Sequence, residues 1–463
     1  MNSIITSAVL GAIMMFSGIF LKKNSFISAM AIGGIVVLLA MGLLELSGYR
    51  FFPVNTHNML YFDVFGLLFN CIAFASTLAY FLLNARDITS IGNYPGEYFA
   101  LIFFVLCGIS IASSFNSLLM LFIGIEIISI PLYILTGSDK RNLKSNEASL
   151  KYFLMGAFST GLMLLGIAFL YGASDKGSFF LEDLAIGRTA GSPMMMTGLI
   201  LLMVSMAFKV SAAPFHFWTP DVYDGAPTVV TSFMATVVKA GAFIAFIRLF
   251  NDAFGDMKVQ WQLFIAIITA ITLFIGNITA VFQQSVKRML AYSSIAQVGF
   301  MLFSLLTLNT LAKEGIILYT AVYSISTIGL FAILVRMKDF SFDGFNGLAR
   351  QYPVLAFTAT IFLLSLAGIP LTGGFLAKYY MIAAVMQTGQ WLWLVIFALL
   401  CAAVSVYYYF RVIQAMYFKE GVAQDLELGA GFKGMLIILA LIVILLGLFP
   451  QLLINRLYII YVG

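Results

Sequence analysis

The chain has 463 residues, of which 62% are hydrophobic and only 10% charged, with a mean hydropathy of +1.02. Soluble domains are nearer half apolar and a quarter charged, so this composition excludes a soluble enzyme and marks an integral membrane protein. The net charge of +5 comes from basic residues that flank apolar runs, with no dense basic stretch apart from Asp139–Lys151, and it does not point to nucleic acid.

The run from Asn2 to Leu21 is apolar from its start, lacks a basic segment before it and carries Lys22 and Lys23 after it. That pattern predicts a retained first span in place of a cleaved signal peptide. At about 20 mostly apolar residues per crossing, about fourteen spans are expected. They are 2–21, 25–46, 60–84, 97–113, 116–136, 148–172, 194–217, 228–250, 260–282, 289–308, 314–335, 353–384, 391–417 and 434–458. Runs this long and continuous are helices, not barrel strands. No stretch between them is long enough for a soluble domain. Cys71, Cys107 and Cys401 fall inside spans at no metal or redox spacing and are expected to pack as small apolar residues.

Loops after odd-numbered spans carry about twice as many lysines and arginines as those on the opposite side, Lys22 and Arg188 among the residues counted. The positive-inside rule then places the odd loops in the cytoplasm and both termini outside. Trp261, Trp391 and Trp393 open two spans on the outer side, where interfacial anchors are expected.

Span seven is interrupted by Ser211-Ala-Ala-Pro214, and span twelve by Ala367-Gly-Ile-Pro370 followed by Gly373 and Gly374. Proline removes a helix hydrogen bond and crowds the preceding turn, so both spans are expected to break there. The two are five spans apart, and an odd offset reverses chain direction. Residues 97–250 and 260–417 are therefore expected to form two inverted five-helix repeats, with 434–458 as a C-terminal span. Paired broken helices point to a transport path near the midplane.

Four ionisable residues lie deep within apolar spans: Glu126, Lys209, Lys239 and Lys378. A charge at mid-bilayer costs about 2.5–3.5 kcal/mol on the milder scales, so such residues usually mark ion or proton pathways. Glu126 follows about ten apolar residues, which at about 1.5 Å per residue places it near mid-depth. A carboxylate there would hold Lys209 charged, and loss of that partner would release its proton. A static buried ion pair is the plainer reading of Glu126 and Lys209. Lys239 and Lys378 have no carboxylate in their own spans, which suits a proton relay, with snorkelling as the plain alternative. His216, one turn beyond the first break, is a further candidate because imidazole titrates near neutral pH. Asp63 and Glu45 sit near span ends and are expected to be solvated. Asp221 and Asp224 read as turn and cap residues, with Pro227 at the first position of span eight. His57 lies in an outer loop. No glycine-rich phosphate loop, cysteine cluster or haem-spaced histidine pair is present.

The stretch from Phe208 to Thr228, FKVSAAPFHFWTPDVYDGAPT, closely resembles the signature of the antiporter-like membrane subunits of respiratory complex I. Its PDVYxGAP form is similar to that of the N-type subunits of bacterial NADH:quinone oxidoreductase, the equivalents of mitochondrial subunit 2. Ser285–Ser294 (SVKRMLAYSS), Ser365–Pro370 with Gly374–Lys378, and Glu126–Tyr133 agree with it in order along the chain. The resemblance implies a proton-translocating subunit with Glu126 and Lys209 as an ion pair, Lys239 as central relay and Lys378 as terminal site. It implies NADH, FMN, iron–sulfur clusters and quinone on other subunits and no cofactor on this chain. Partners implied are a small multi-span subunit, subunit M and a lateral helix from subunit L, in a bacterial inner membrane. One departure stands out. Where the family often has a histidine after Ala-Tyr-Ser-Ser, this chain has Gln297, which cannot titrate. A multi-subunit sodium/proton antiporter subunit and a structural membrane scaffold are the alternative readings; the PDVYxGAP form argues against the first.

Overall fold

A computed structural model describes residues 1–21, 23–91, 94–174, 176–185, 192–421 and 424–458; Lys22 and Arg188, used in the loop-charge argument, lie outside them. The described residues are helical apart from loops and three isolated bridges. Three crossings open the chain: α1 (Asn2–Phe20), α2 (Asn24–Leu46) and α3 (Val64–Ile91). Next come α4 (Pro95–Ala112), α5 (Leu118–Thr136), α6 (Leu143–Ala173) and a short α7 (Leu181–Ala185). Span seven appears as α8 (Pro193–Val210) and α9 (Trp218–Gly225). Span eight is α10 (Thr228–Phe233), a π-helical segment (Met234–Val238) and α11 (Lys239–Asp252) in unbroken succession.

The second half holds α12 (Lys258–Val281), α13 (Val286–Thr307), α14 (Thr310–Arg336), α15 (Leu348–Gln351), α16 (Pro353–Ala367), α17 (Gly373–Met386), α18 (Leu392–Phe418), α19 (Ala430–Leu448) and α20 (Gln451–Ile454). Thirteen described helices are long and apolar enough to cross a bilayer. The twelfth span is divided, at the break expected from Ala367–Pro370, between α16 and α17, of 15 and 14 residues. The short segment ending in α15 meets α16 at 120°.

Both breaks end in the same cap. Ser211 and Gly368 take left-handed conformations (φ 67° and 85°), and the following N–H folds back: Ala212 to the Ala207 carbonyl at 2.8 Å, Ile369 to Leu364 at 3.0 Å. This is the six-to-one bond that closes a helix before the chain turns away. Proline at 214 and 370 then prevents resumption in the same register.

The apolar windows of residues 228–252, α13 and α14 are 100%, 94% and 94% buried, so these three crossings form the centre. Close packing there rests on small residues: a Cβ on Gly276 of α12 would lie 2.5 Å from the Ala296 backbone nitrogen of α13. The outer helices α1, α2, α6, α18 and α19 expose broad apolar faces, as lipid or neighbouring helices require.

Several sequence expectations change here. Trp261 is buried and donates to the Phe254 carbonyl at 2.9 Å, so it packs the core and is no interfacial anchor, whereas Trp393 is exposed. Glu45 is buried, not solvated, bonded to the Met1 amine and to the backbone and hydroxyl of Ser3. Asp63 pairs with Arg248 at 2.7 Å. Pro227 caps α10 from just outside instead of entering it. All three cysteines are free and buried.

Candidate functional site

Four groups of polar side chains stand out, three of them in the interior. The first lies between α5, α6 and α8. Lys209, in the last turn of α8, is brought to 4.0 Å from the Glu126 carboxylate of α5. The two do not bond directly. The Thr160 hydroxyl of α6 donates to Glu126 at 2.7 Å and accepts from Lys209 at 3.4 Å, while Lys209 donates to Ser129 at 2.9 Å. Glu126 and Ser129 are three residues apart on α5, hence on one face. The Thr160 hydroxyl thus touches both charged groups.

The second group centres on Lys239, 2% exposed. It begins α11 immediately after the π-helical turn, whose extra residue rotates α11 relative to α10. Its Nζ donates to the Ser294 hydroxyl at 2.9 Å and carbonyl at 3.2 Å on α13, and stands 5.6 Å over the Tyr223 ring of α9. Among the described residues it has no carboxylate partner. A buried ammonium held by neutral dipoles alone, with no carboxylate to balance it, is costly by several kcal/mol.

The third group surrounds Lys378 of α17. Its Nζ donates to the Leu366 and Ala367 carbonyls at 2.8 and 3.1 Å, the oxygens left open where α16 ends, and lies 4.6 Å from the Phe300 ring. The break thus creates the site: orphan carbonyls at a helix C-terminus attract a cation. Gln297 of α13 joins this group. Its amide nitrogen donates to Leu366 at 2.9 Å and to Tyr409 at 3.0 Å, and its oxygen accepts from Tyr319.

The fourth group is a charged surface cluster along α9. Asp221 accepts from Lys151 and Arg288, each at 3.1 Å, around a cavity of about 250 Å³. Burial pushes the Asp221 carboxyl up, but the two cations outweigh it and hold it below the usual aspartate range. Asp221 is therefore an ion-pair residue, in place of the cap expected from sequence. Next to it, Lys287 is buried and donates to the Asp224 and Ala226 carbonyls, both at 2.8 Å. The expected spans 260–282 and 289–308 leave it in the loop between them, among the loop charges.

The structure brings Glu126 and Lys209 together and links Lys378 through the Leu366 carbonyl to Gln297. It does not join His216 to any lysine by a hydrogen bond among the described residues. His216 is buried in the turn after α8, stacks on Phe217 at 4.7 Å and leaves Nδ1 without a partner among them. Ser294, Tyr319, Tyr323 and Tyr409 were missed because many hydroxyls line the spans and only packing separates the relevant ones. The spacing of Ser294 and Gln297 on α13 was the one available signal.

The family described as NADH:quinone oxidoreductase/Mrp antiporter, TM matches residues 115–405. NADH-quinone oxidoreductase subunit N of Cytophaga hutchinsonii is 40% identical over 98% of this chain and 99% of its own. The subunit N of Flavobacterium psychrophilum is 34% identical over 97% and 99%. In solved structures, a chain of respiratory complex I from Thermus thermophilus with bound aureothin is 31% identical, with a TM-score of 0.84, covering 98% and 99%. A chain of the Mrp complex from Dietzia sp. DQ12-45-1b superposes with a TM-score of 0.88 at 18% identity over 98% and 96%, a likeness of fold alone.

Proposed function

The chain belongs to the subunit N family of NADH-quinone oxidoreductase, and from that premise we propose that it moves protons through Glu126, Lys209, Lys239 and Lys378. The observation that carries this reading is the set of three lysines, each deep in the bundle, of which only Lys209 approaches a carboxylate among the described residues. A packing role favours paired or fully satisfied charges; a relay favours groups that can exist in both protonation states.

In this reading the Glu126–Lys209 pair loads and releases, Lys239 passes the proton inward, and Lys378 delivers it. NADH oxidation and quinone reduction take place on other subunits of the complex, which hold the redox cofactors, and drive the transfer. Other complex I subunits are the partners, namely a small multi-span subunit, subunit M and a lateral helix of subunit L. The membrane is the bacterial inner membrane, and the loop charges favour both termini outside. His216 is kept as an accessory proton group for span seven, resting on its burial and open Nδ1. The shared cap at Ser211 and Gly368 supports inverted repeats at 97–250 and 260–417. The Mrp antiporter shares the fold, but the relatives above 30% identity over nearly the whole chain carry the quinone oxidoreductase name.

The test is proton uptake per NADH oxidised in sealed vesicles containing assembled complex with Lys209→Ala. Loss of pumping with assembly retained is expected; normal stoichiometry would sink the proposal.

A further inference from the structure

Between Lys239 and Lys378 lies a buried tyrosine that the packing leaves unsatisfied. Tyr323 of α14 is 5% exposed, and its hydroxyl has no hydrogen-bond partner among the described residues. Buried hydroxyls are normally bonded, so an open one in the most buried part of the bundle needs an explanation. The Tyr323 hydroxyl lies beside the hydroxyls of Thr327, on its own helix, and of Ser294, the residue that holds Lys239. Its other side lines a small cavity shared with Gln297, Tyr319 and Lys378. The cavity has room for about one water. Tyr323 therefore stands at the gap between the central and terminal lysines, with hydrogen-bonding capacity open toward both.

The neighbours fix how this gap is walled. The Gln297 amide cannot turn over without loss, since its oxygen accepts from Tyr319 and its nitrogen donates to both Leu366 and Tyr409. Tyr409 is held in turn by Ser293. Gln297 is thus held at both ends of its amide and does not titrate. The same Leu366 carbonyl also takes Lys378. Tyr323 is the open hydroxyl in that wall.

We propose that Tyr323 is a proton-transferring residue between Lys239 and Lys378, with Gln297 acting as the positioning residue that aligns the cavity. The inference rests on the lysine-relay reading above. In the step, an N–H bond of the Lys239 ammonium breaks and its proton goes to the Ser294 oxygen. Ser294 turns its own hydrogen from the Ala291 carbonyl toward Tyr323. Tyr323 accepts it and passes its hydrogen to a water in the cavity. That water protonates the neutral amine of Lys378, forming one N–H bond. Each hydroxyl and the water keep their original number of hydrogens. One positive charge has moved, and no oxidant or reductant is consumed.

The experiment compares complex carrying Tyr323→Phe with complex carrying Lys378→Ala, both measured as NADH-driven proton uptake in sealed vesicles and normalised to assembled complex. Phenylalanine keeps the ring and removes only the oxygen. Proton uptake is expected to fall about tenfold or more in each, as for loss of a positioned proton-transfer group. Full pumping by Tyr323→Phe beside a disabled Lys378→Ala overturns the tyrosine relay and leaves the lysine reading intact. Full pumping by both overturns the two together. If Tyr323→Phe does not assemble, Ser294→Ala removes the preceding hydroxyl of the same link and is judged by the same outcomes.

Discussion

Lys239 and Ser294 are joined twice, the ammonium donating to both the hydroxyl and the main-chain carbonyl of the same residue. Both acceptors are neutral. The grip positions the lysine without stabilising its charge as a carboxylate would, and the π-helical turn before it aims the side chain at α13. Lys239→Arg is therefore expected to abolish most pumping despite conserving charge. Arginine stays protonated at any accessible pH, with a pKa above about 12, and locks the site. Proton uptake in sealed vesicles measures this, and full activity would make Lys239 a structural cation.

The Glu126–Lys209 pair yields a graded prediction. Glu126→Gln should impair pumping strongly and Glu126→Asp less, because Asp keeps the charge that biases Lys209. Thr160→Val should fall between wild type and Glu126→Gln, since it removes the hydroxyl that touches both partners. Losing one such hydrogen bond to a charged group is worth about 1.5–3 kcal/mol. Three variants with wild-type coupling would leave the pair a packing device.

Asp221 predicts a pH dependence. Its carboxyl is held below the usual aspartate range by Lys151 and Arg288 against the opposing effect of burial. A depressed folded-state value contributes stability that is fully present above the unfolded value and fades as pH falls through the folded one. Asp221→Asn should thus be less stable than wild type at neutral pH, and the two should converge in acid. High salt should shrink the difference, because the cluster is partly exposed. Thermal melts of the purified complex across pH test both statements.

Gly374→Ala should disrupt the second break. A Cβ at that position would lie 1.9 Å from the Ser365 carbonyl oxygen, a main-chain atom that cannot step aside. The overpacking is expected to cost about 1–3 kcal/mol and to push α17 from α16, carrying Lys378 away from Leu366. Reduced assembled complex, or assembled complex with weakened pumping, is the expected outcome. Gly33→Ala, where nothing lies within 4 Å, is the control.

Membrane insertion, the number of crossings and the positions of the breaks were legible along the chain because each is a local property. A crossing needs a run of apolar residues, and a break needs proline near glycine or serine, whatever the rest of the fold does. The same logic picked out Glu126, Lys209, Lys239 and Lys378, since a charge inside such a run is anomalous on its own. Which neutral groups hold those charges was not legible. Ser294 meets Lys239 across 55 residues, Thr160 meets Glu126 across 34, and the Tyr408 and Tyr409 hydroxyls reach α12 and α13 across more than a hundred. Hydroxyls and amides fit apolar helices in either orientation, so their sequence positions carry no preference between lipid, core and site. Three-dimensional packing decided that Trp261 and Glu45 are interior, that Lys287 is buried, and that the Tyr323 hydroxyl is left open beside the small cavity at Lys378. The reason is physical: burial of a polar group is permitted only where partners from distant helices arrive, and their arrival is a property of the whole bundle.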